Sequence, residues 1–251
     1  NFEADPASFN LTVEARDRAS GGLTDTTNVA VNIGDVGEGG AWIDGHFTAA
    51  YMTSTPFGGT SPWGGNSEVS AMATAFGANN WTQYNGFSAA VVGTSDFLYL
   101  EGGNGQFSEF LSFLDANRTT LEDYVFEGGT LFINAARNEL LGQSYLLAFG
   151  ISSYGYDLTP NVTANVGPSH PIISGPHGNT GTSFTGSYFG HDSLSGGGIV
   201  PLIVGTGTFG GNLDIVLGEL SYGSGHVLIG GMTAAFFHSP QPQSQVLLSN
   251  V

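Results

Sequence analysis

The amino-acid sequence predicts an α/β fold: a parallel sheet sandwiched by helices, preceded by a short antiparallel β segment. Two observations carry that prediction. Downstream of residue 41, short apolar runs alternate with segments whose apolar residues recur at helical spacing, and such alternation implies a parallel sheet in a layered fold. Upstream of residue 36, apolar and polar residues alternate with the period of a half-buried strand.

Taken in order, Phe9, Leu11, Val13 and Ala15 alternate with polar neighbours, and Val29, Val31 and Ile33 do the same. A turn-rich stretch over 16–25 joins the two runs. Val36-Gly37-Glu38-Gly39-Gly40 reads as a linker, dividing the chain into a β segment (1–36), a linker (37–40) and a larger domain (41–251). Ser67 to Phe76 reads as a helix. Residues 96–100 form a short apolar run that ends at Glu101-Gly102-Gly103, like a buried parallel strand. Phe107, Phe110, Leu111 and Leu114 share one helical face, and Leu121, Tyr124 and Val125 extend the spacing toward a stop at Gly128-Gly129. Residues 130–133 read as a second buried strand and 139–147 as helical. Strands are expected at 199–204, 214–217 and 226–229, and a last helix begins near 244.

Composition narrows the function. The chain has 251 residues, with 40% hydrophobic and 12% aromatic, enough for a core. Four Lys+Arg stand against 21 Asp+Glu, a formal net charge of −17. Phosphate backbones and anionic lipid surfaces are read by basic side chains, so neither nucleic acid nor a membrane surface is an expected partner. No apolar run is long enough to span a bilayer. Cysteine is absent, which is compatible with a bacterial surface protein. The first residue is Asn1, with neither Met nor a leader before it, so a processed product or a piece of a longer chain is expected. Four Asn-x-Ser/Thr sequons, at Asn10, Asn80, Asn117 and Asn161, are candidate N-glycosylation sites.

The first part resembles the end of a cadherin-like repeat. The resemblance rests on Asn1-Phe2-Glu3, on Phe9-Asn10-Leu11-Thr12-Val13-Glu14-Ala15-Arg16-Asp17, and on the stretch from Val29 through Asn32-Ile33-Gly34-Asp35-Val36-Gly37-Glu38. It implies Ca²⁺ ligands at Glu3, Asp17, Asp35 and Glu38, carboxylates suited to a hard cation with six to eight oxygen ligands. Asn1 stands where the family often has Asp, and Gly37 where Asn is usual. Such a repeat is a sandwich of about seven strands, of which this chain holds the last two or three. A lone hairpin is marginal in water and its open edges invite pairing, so strands donated by another copy, or by adjacent repeats of a longer parent, are expected to complete it.

The second part resembles the class I glutamine amidotransferase-like superfamily, including its trehalose-utilisation-like branch, which implies a flavodoxin-like sheet. The resemblance lies in Gly128-Gly129-Thr130-Leu131-Phe132-Ile133-Asn134-Ala135-Ala136-Arg137-Asn138-Glu139-Leu140-Leu141-Gly142, similar to the family's strand–elbow–helix, and in Ala234-Ala235-Phe236-Phe237-His238-Ser239-Pro240, similar to the segment that carries its histidine. Active members place a cysteine at the elbow, activated by that histidine and a carboxylate. Here the position falls on Ala135. His238 remains, but Pro240 and Gln241 follow where the family has Glu. A register slip substitutes Asn134 or Ala136, neither a nucleophile.

Other chemistries find little support. None of the six histidines forms an i, i+4 zinc motif; His170 and His177 flank a Pro- and Gly-containing loop, and His191-Asp192 is a weak ligand signal. Gly223-Ser224-Gly225 lacks the spacing of a nucleophile elbow and reads as a hairpin turn. Glu101, at the carboxyl end of a parallel strand, sits where ligands of such sheets bind. Trp42, Trp63, Trp81, Tyr84, Tyr154 and Tyr156 lie in polar surroundings suited to stacking on sugars or anchoring an interface. The sequence thus points to an extracellular, non-enzymatic surface protein, an adhesive or filament subunit joined through its β segment. The rivals are a carbohydrate-binding module of a larger surface protein and a hydrolase of unfamiliar type using His191, Asp192 or His238.

Overall fold

The structure, a computed structural model, describes residues 8–16, 24–32, 47–54, 61–209 and 212–251, with residues 8–16, 24–32, 156–159, 187, 207–209 and 212 described by their backbone alone. The chain divides into two compact units, Asn1–Ile43 and Asp44–Val251.

In the first unit, strands β1 (Ser8–Arg16) and β2 (Thr24–Asn32) pair antiparallel. The register sets Phe9 opposite Val31 and Leu11 opposite Val29, so apolar positions of the two strands are paired along the ladder. Among the described residues each strand pairs only with the other. Glu3, Asp17, Asp35 and Glu38, together with the linker 37–40 and Trp42, lie outside the described residues.

The second unit is α/β. Its elements are β3 (Ala49–Thr53), α1 (Ser67–Phe76), β4 (Trp81–Asn85), β5 (Phe97–Glu101), α2 (Phe107–Phe126), β6 (Thr130–Asn134), β7 (Ser144–Leu146), β8 (Ile151–Ala164), β9 (Ser174–Gly175), β10 (Gly178–Asn179), β11 (Ser183–Gly196), β12 (Val200–Phe209), β13 (Asn212–Tyr222), β14 (Gly225–Gly230), β15 (His238–Ser239) and α3 (Gln241–Asn250). All but β9 and β10, which pair with each other, join one sheet of 11 strands.

Half of that sheet is parallel. Strands β4, β3, β5, β6 and β14 lie side by side in that order, all parallel. Numbered along the chain, this is the 2-1-3-4-5 order of a flavodoxin-like sheet, whose direction of winding reverses between β3 and β5. Both faces are covered, and the sequence alternates accordingly. Ala50, Met52, Leu98, Leu100, Leu131 and Ile133 pack with the Phe107, Phe110 and Leu114 face of α2. Ala49, Tyr51, Phe97, Tyr99 and Phe132 join a second core that includes Met72 of α1 and Leu247 of α3.

The other half departs from an all-parallel sheet. Strands β8, β11, β12, β13 and β15 are antiparallel to their neighbours, and β7 hangs on β8. All but β15, which follows β14, occupy the chain between β6 and β14, where a flavodoxin-like fold has a helix. The helix expected over 139–147 is absent for a local reason: Leu140 and Gly142 take left-handed backbone angles (φ 56° and 75°), which no right-handed helix accommodates. The carboxylate of Glu139 instead accepts the backbone N–H groups of Gly105 (3.2 Å) and Phe107 (2.8 Å), satisfying free donors at the start of α2.

Candidate functional site

The winding reversal between β3 and β5 puts Thr53 and Glu101 side by side at the carboxyl ends of their strands. Asn134 ends β6 in the same layer, paired with Glu101. Such an edge is where ligands of open α/β sheets bind. Here it holds three layers.

The innermost layer is a closed polar network. Glu101 is fully buried. Its Oε1 accepts the N–H of Gly103 (2.7 Å), and its Oε2 accepts both the Tyr99 hydroxyl (2.5 Å) and the Asn134 amide (2.8 Å). Asn134 is held in turn by the backbone of Met232, donating to its carbonyl (2.8 Å) and accepting its N–H (2.9 Å). Gln106 ties the Glu101 carbonyl (2.6 Å) to the Thr53 hydroxyl (3.2 Å). A second buried carboxyl, Glu68 on α1, approaches the same region; Ser61 bonds it, while its Oε2 has no hydrogen-bond partner among the described residues. Burial raises both carboxyls well above the usual carboxylate range, and repulsion from Glu68 raises Glu101 further.

The second layer is the loop after β6. Ala135 is buried and offers only a methyl group. Two residues on, the Arg137 guanidinium lies entirely inside the protein, 3.1 Å from Oδ2 of the equally buried Asp192. It stacks 4.5 Å from the Phe107 ring centroid and 4.9 Å from that of Tyr145, and donates to the Gln143 carbonyl (2.7 Å). The Asp192 carboxylate accepts the Arg137 N–H (3.2 Å), and the His191 Nδ1 donates to the Arg137 carbonyl (3.0 Å). Burial lifts the Asp192 carboxyl to about 7, against the opposing pull of Arg137. Gly155 makes room for the cation: a β-carbon there would lie 2.1 Å from Arg137 Nε.

His238, on β15, is buried behind these residues and stacks on Phe189 at 3.9 Å. Its Nε2 lies 2.8 Å from the Thr233 hydroxyl, which donates to the Tyr188 carbonyl (2.8 Å). The hydroxyl has a single proton and the carbonyl only accepts, so His238 donates from Nε2. Burial drives its pKa down to about 3. A ring committed as a donor in an apolar stack is poorly placed as a general base.

The outer layer is aromatic. Trp63 lies over the network: a β-carbon at Gly103 would touch both Trp63 Nε1 (2.6 Å) and Glu101 Oε1 (2.7 Å), so only glycine fits between them. Trp63 contacts His191 (4.8 Å between ring centroids) and Phe237 (6.2 Å). Phe237 contacts Phe236 (4.1 Å), and His191 contacts Tyr188 (5.7 Å).

The structure thus gathers Glu101, Ala135, His191, Asp192 and His238 around one end of the sheet, as neighbours of strand ends or of the loop after β6. The carboxyl of Glu68 and the rings of Tyr188, Phe236 and Phe237 belong to the same region, and sequence reasoning missed them. Of the other expected aromatics, Trp81 and Tyr84 pack against the two cores. Among the sequons, Asn80 and Asn161 are exposed; Asn117 is half-buried within α2 and donates to the Phe113 carbonyl (2.8 Å). Asn10 pairs with Ala30 within the ribbon. No three His, Asp or Glu side chains among the described residues are grouped to hold a metal ion, and no helix among them is long and apolar enough to cross a membrane.

No protein-family model matches the chain, and no curated protein does. Among solved structures it is similar to a β-galactosidase from Rahnella sp. (13% identity, 81% of this chain and 30% of that one, TM-score 0.47). It is also similar to a putative ThuA-like protein from Bacteroides uniformis (11% identity, 82% and 89%, TM-score 0.46) and to a cytoplasmic protein from Salmonella typhimurium (14% identity, 95% and 89%, TM-score 0.41). The chain spans under a third of the galactosidase's length. The strand order of the parallel half is what identifies the fold.

Proposed function

We propose that this chain is a non-catalytic, extracellular surface or assembly protein: an amidotransferase-like α/β body joined to other copies, or to adjacent repeats of a parent chain, through its cadherin-like N-terminal ribbon. One observation carries the reading. At the strand ends, where the fold does chemistry, the groups able to act as acid, base or nucleophile are withdrawn. Ala135 has no reactive atom, His238 is committed as a buried donor, and both oxygens of Glu101 accept hydrogen bonds from the interior.

The ribbon supplies the means of association. A two-stranded sheet leaves one edge of each strand with unpaired N–H and C=O groups, a template for strand addition. Ca²⁺ held by Glu3, Asp17, Asp35 and Glu38 would stiffen it, since a hard cation neutralises four carboxylates that otherwise repel. Acidic composition without cysteine fits an extracellular surface, and exposed sequons at Asn80 and Asn161 fit a glycoprotein.

The test is the mass of the native particle, measured by light scattering and by electron microscopy. Wild-type protein is expected as multimers or filaments that chelation of Ca²⁺ weakens. Leu11→Pro, which removes a donor and bends β1, is expected to release monomers. A wild-type monomer at all concentrations, or polymers indifferent to Leu11→Pro, would refute the reading.

A further inference from the structure

We infer that the rings of Tyr188, Trp63, Phe237 and Phe236 form a binding platform for an uncharged glycan at the carboxyl end of the parallel strands. The rings come from three distant segments and reach each other only through the fold. They run as one row, with His191 bridging Tyr188 and Trp63. Tyr188 (46%), Phe236 (43%) and Phe237 (37%) keep much of their surface in water, although burying large rings is favourable.

The backbone beneath Tyr188 is held in an unfavourable form. Its φ is +73°, a left-handed angle that an aromatic residue rarely adopts. The β11 ladder shifts register around it, between Thr185 and Gly190 and again between Gly190 and Asp192, and the Thr233 hydroxyl pins its carbonyl. An irregularity of this kind turns a side chain away from its default direction, here onto the row.

The setting selects the ligand. A sugar presents a C–H face to a ring and hydroxyls that both donate and accept. Next to Trp63, Asn104 and Asn138 supply side-chain amides, joined to each other at 3.3 Å. Behind it, Trp63 Nε1 and Glu68 Oε2 are a donor and an acceptor without hydrogen-bond partners among the described residues. Within the second unit a polyanion finds no free arginine or lysine to meet: Arg137 is buried, and Arg118 pairs with Asp115 on α2. A cation finds no free surface carboxylate in the layers beneath, because Glu68, Glu101 and Asp192 are buried and the half-buried Glu139 is taken up by the backbone N–H groups of Gly105 and Phe107. A second copy of the chain carries the same −17 charge.

The platform does not depend on ribbon assembly, and its test separates the two. Full-length protein is run through native gels containing a neutral β-glucan, galactan or mannan, with polygalacturonate and an arginine-rich peptide as charged comparisons. At least one neutral polysaccharide is expected to retard the wild-type chain. Trp63→Ala and Tyr188→Ala should each weaken retardation about tenfold, and Phe236→Ser, confined to an exposed ring, serves should Trp63→Ala fail to fold. Phe126→Ala, which removes an exposed ring on α2 outside the row, should change nothing, and Leu11→Pro should bind as wild type. Retardation by no neutral polysaccharide, equal retardation by the charged comparisons, or retardation that survives loss of the row rings would overturn the platform without touching the assembly proposal.

Discussion

The two halves of the large sheet share an apolar core but differ in what they bring to the strand ends. In the parallel half, β3, β5 and β6 bury both faces under helices, while β4 at the sheet edge stays largely exposed, and apolar side chains alternate between two cores. Its cohesion is largely the burial of apolar area. The antiparallel half buries Val162, Phe184, Phe189, Leu202, Ile203 and Val216 in the second of those cores, but its strands β8 and β11 are long, polar and irregular, and what they bring to the strand ends is charge and hydrogen bonding: Ser153, His191, Asp192 and Tyr188. The insertion stands where a flavodoxin-like fold would place a helix after β6. The comparison teaches how a strand-end crevice becomes interior. Arg137 is drawn inward to Asp192, Ala135 is buried in the loop after β6, and among the described residues the partly exposed rings of Tyr188, Phe236 and Phe237 lie at that end.

The sharpest way to break the comparison is to remove one partner of the buried ion pair. Asp192→Ala strands the Arg137 charge and should lower unfolding free energy by about 3–5 kcal/mol in urea titrations, whereas Asp192→Leu with Arg137→Met should cost much less. A loss below about 1 kcal/mol from Asp192→Ala would mean that the antiparallel half does not seal the site. Gly155→Ala should follow, at about 1–3 kcal/mol, because its β-carbon falls on the Arg137 side chain.

The pH dependence is the third test. Burial raises the folded-state pKa of Glu68 and Glu101, so their stabilisation is complete below about pH 4.5 and is lost as pH rises through about 7 to 8. His238 acts oppositely: its pKa is depressed to about 3, so its contribution is present above about pH 6.5 and is lost as pH falls from there. Thermal unfolding should therefore show stability falling between about pH 4.5 and 8, most plainly from about pH 6.5 to 8 where His238 no longer opposes it, by on the order of 1 kcal/mol per pH unit, with the slope reduced in Glu101→Gln. A flat wild-type profile would contradict a sealed carboxyl network. The smallest effect belongs to Phe126, 59% exposed: Phe126→Ser should stay within about 0.5 kcal/mol.

Of the parallel strands, β5, β6 and β14 were legible in the sequence because their apolar runs are local, whereas β3 and β4 were not expected. The run before Glu101 and the Phe107-Phe110-Leu111-Leu114 face both appear where expected, and α1 spans the expected residues. Strands β8 and β11 were not legible. They are rich in Gly, Ser, Asp and Asn, residues that favour turns, and their strand character comes from ladder partners far along the chain. The helix expected over 139–147 failed because Glu139 is used to satisfy α2 and Leu140 turns left-handed. The strand-end position of Glu101 could be read, but Tyr99, Asn134 and Met232 as the partners that enclose it could not. Trp63 stood out as an aromatic in a polar loop, while Tyr188, Phe236 and Phe237 join it only through the topology.

The central claim is that these strand ends perform no catalysis, and turnover tests it most directly. Full-length protein is assayed with glutamine, p-nitrophenyl esters and p-nitrophenyl glycosides, beside His238→Ala and Asp192→Asn. The account predicts rates at the uncatalysed background for all three proteins. Turnover by the wild-type chain that disappears in His238→Ala or Asp192→Asn, with folding intact, would contradict it.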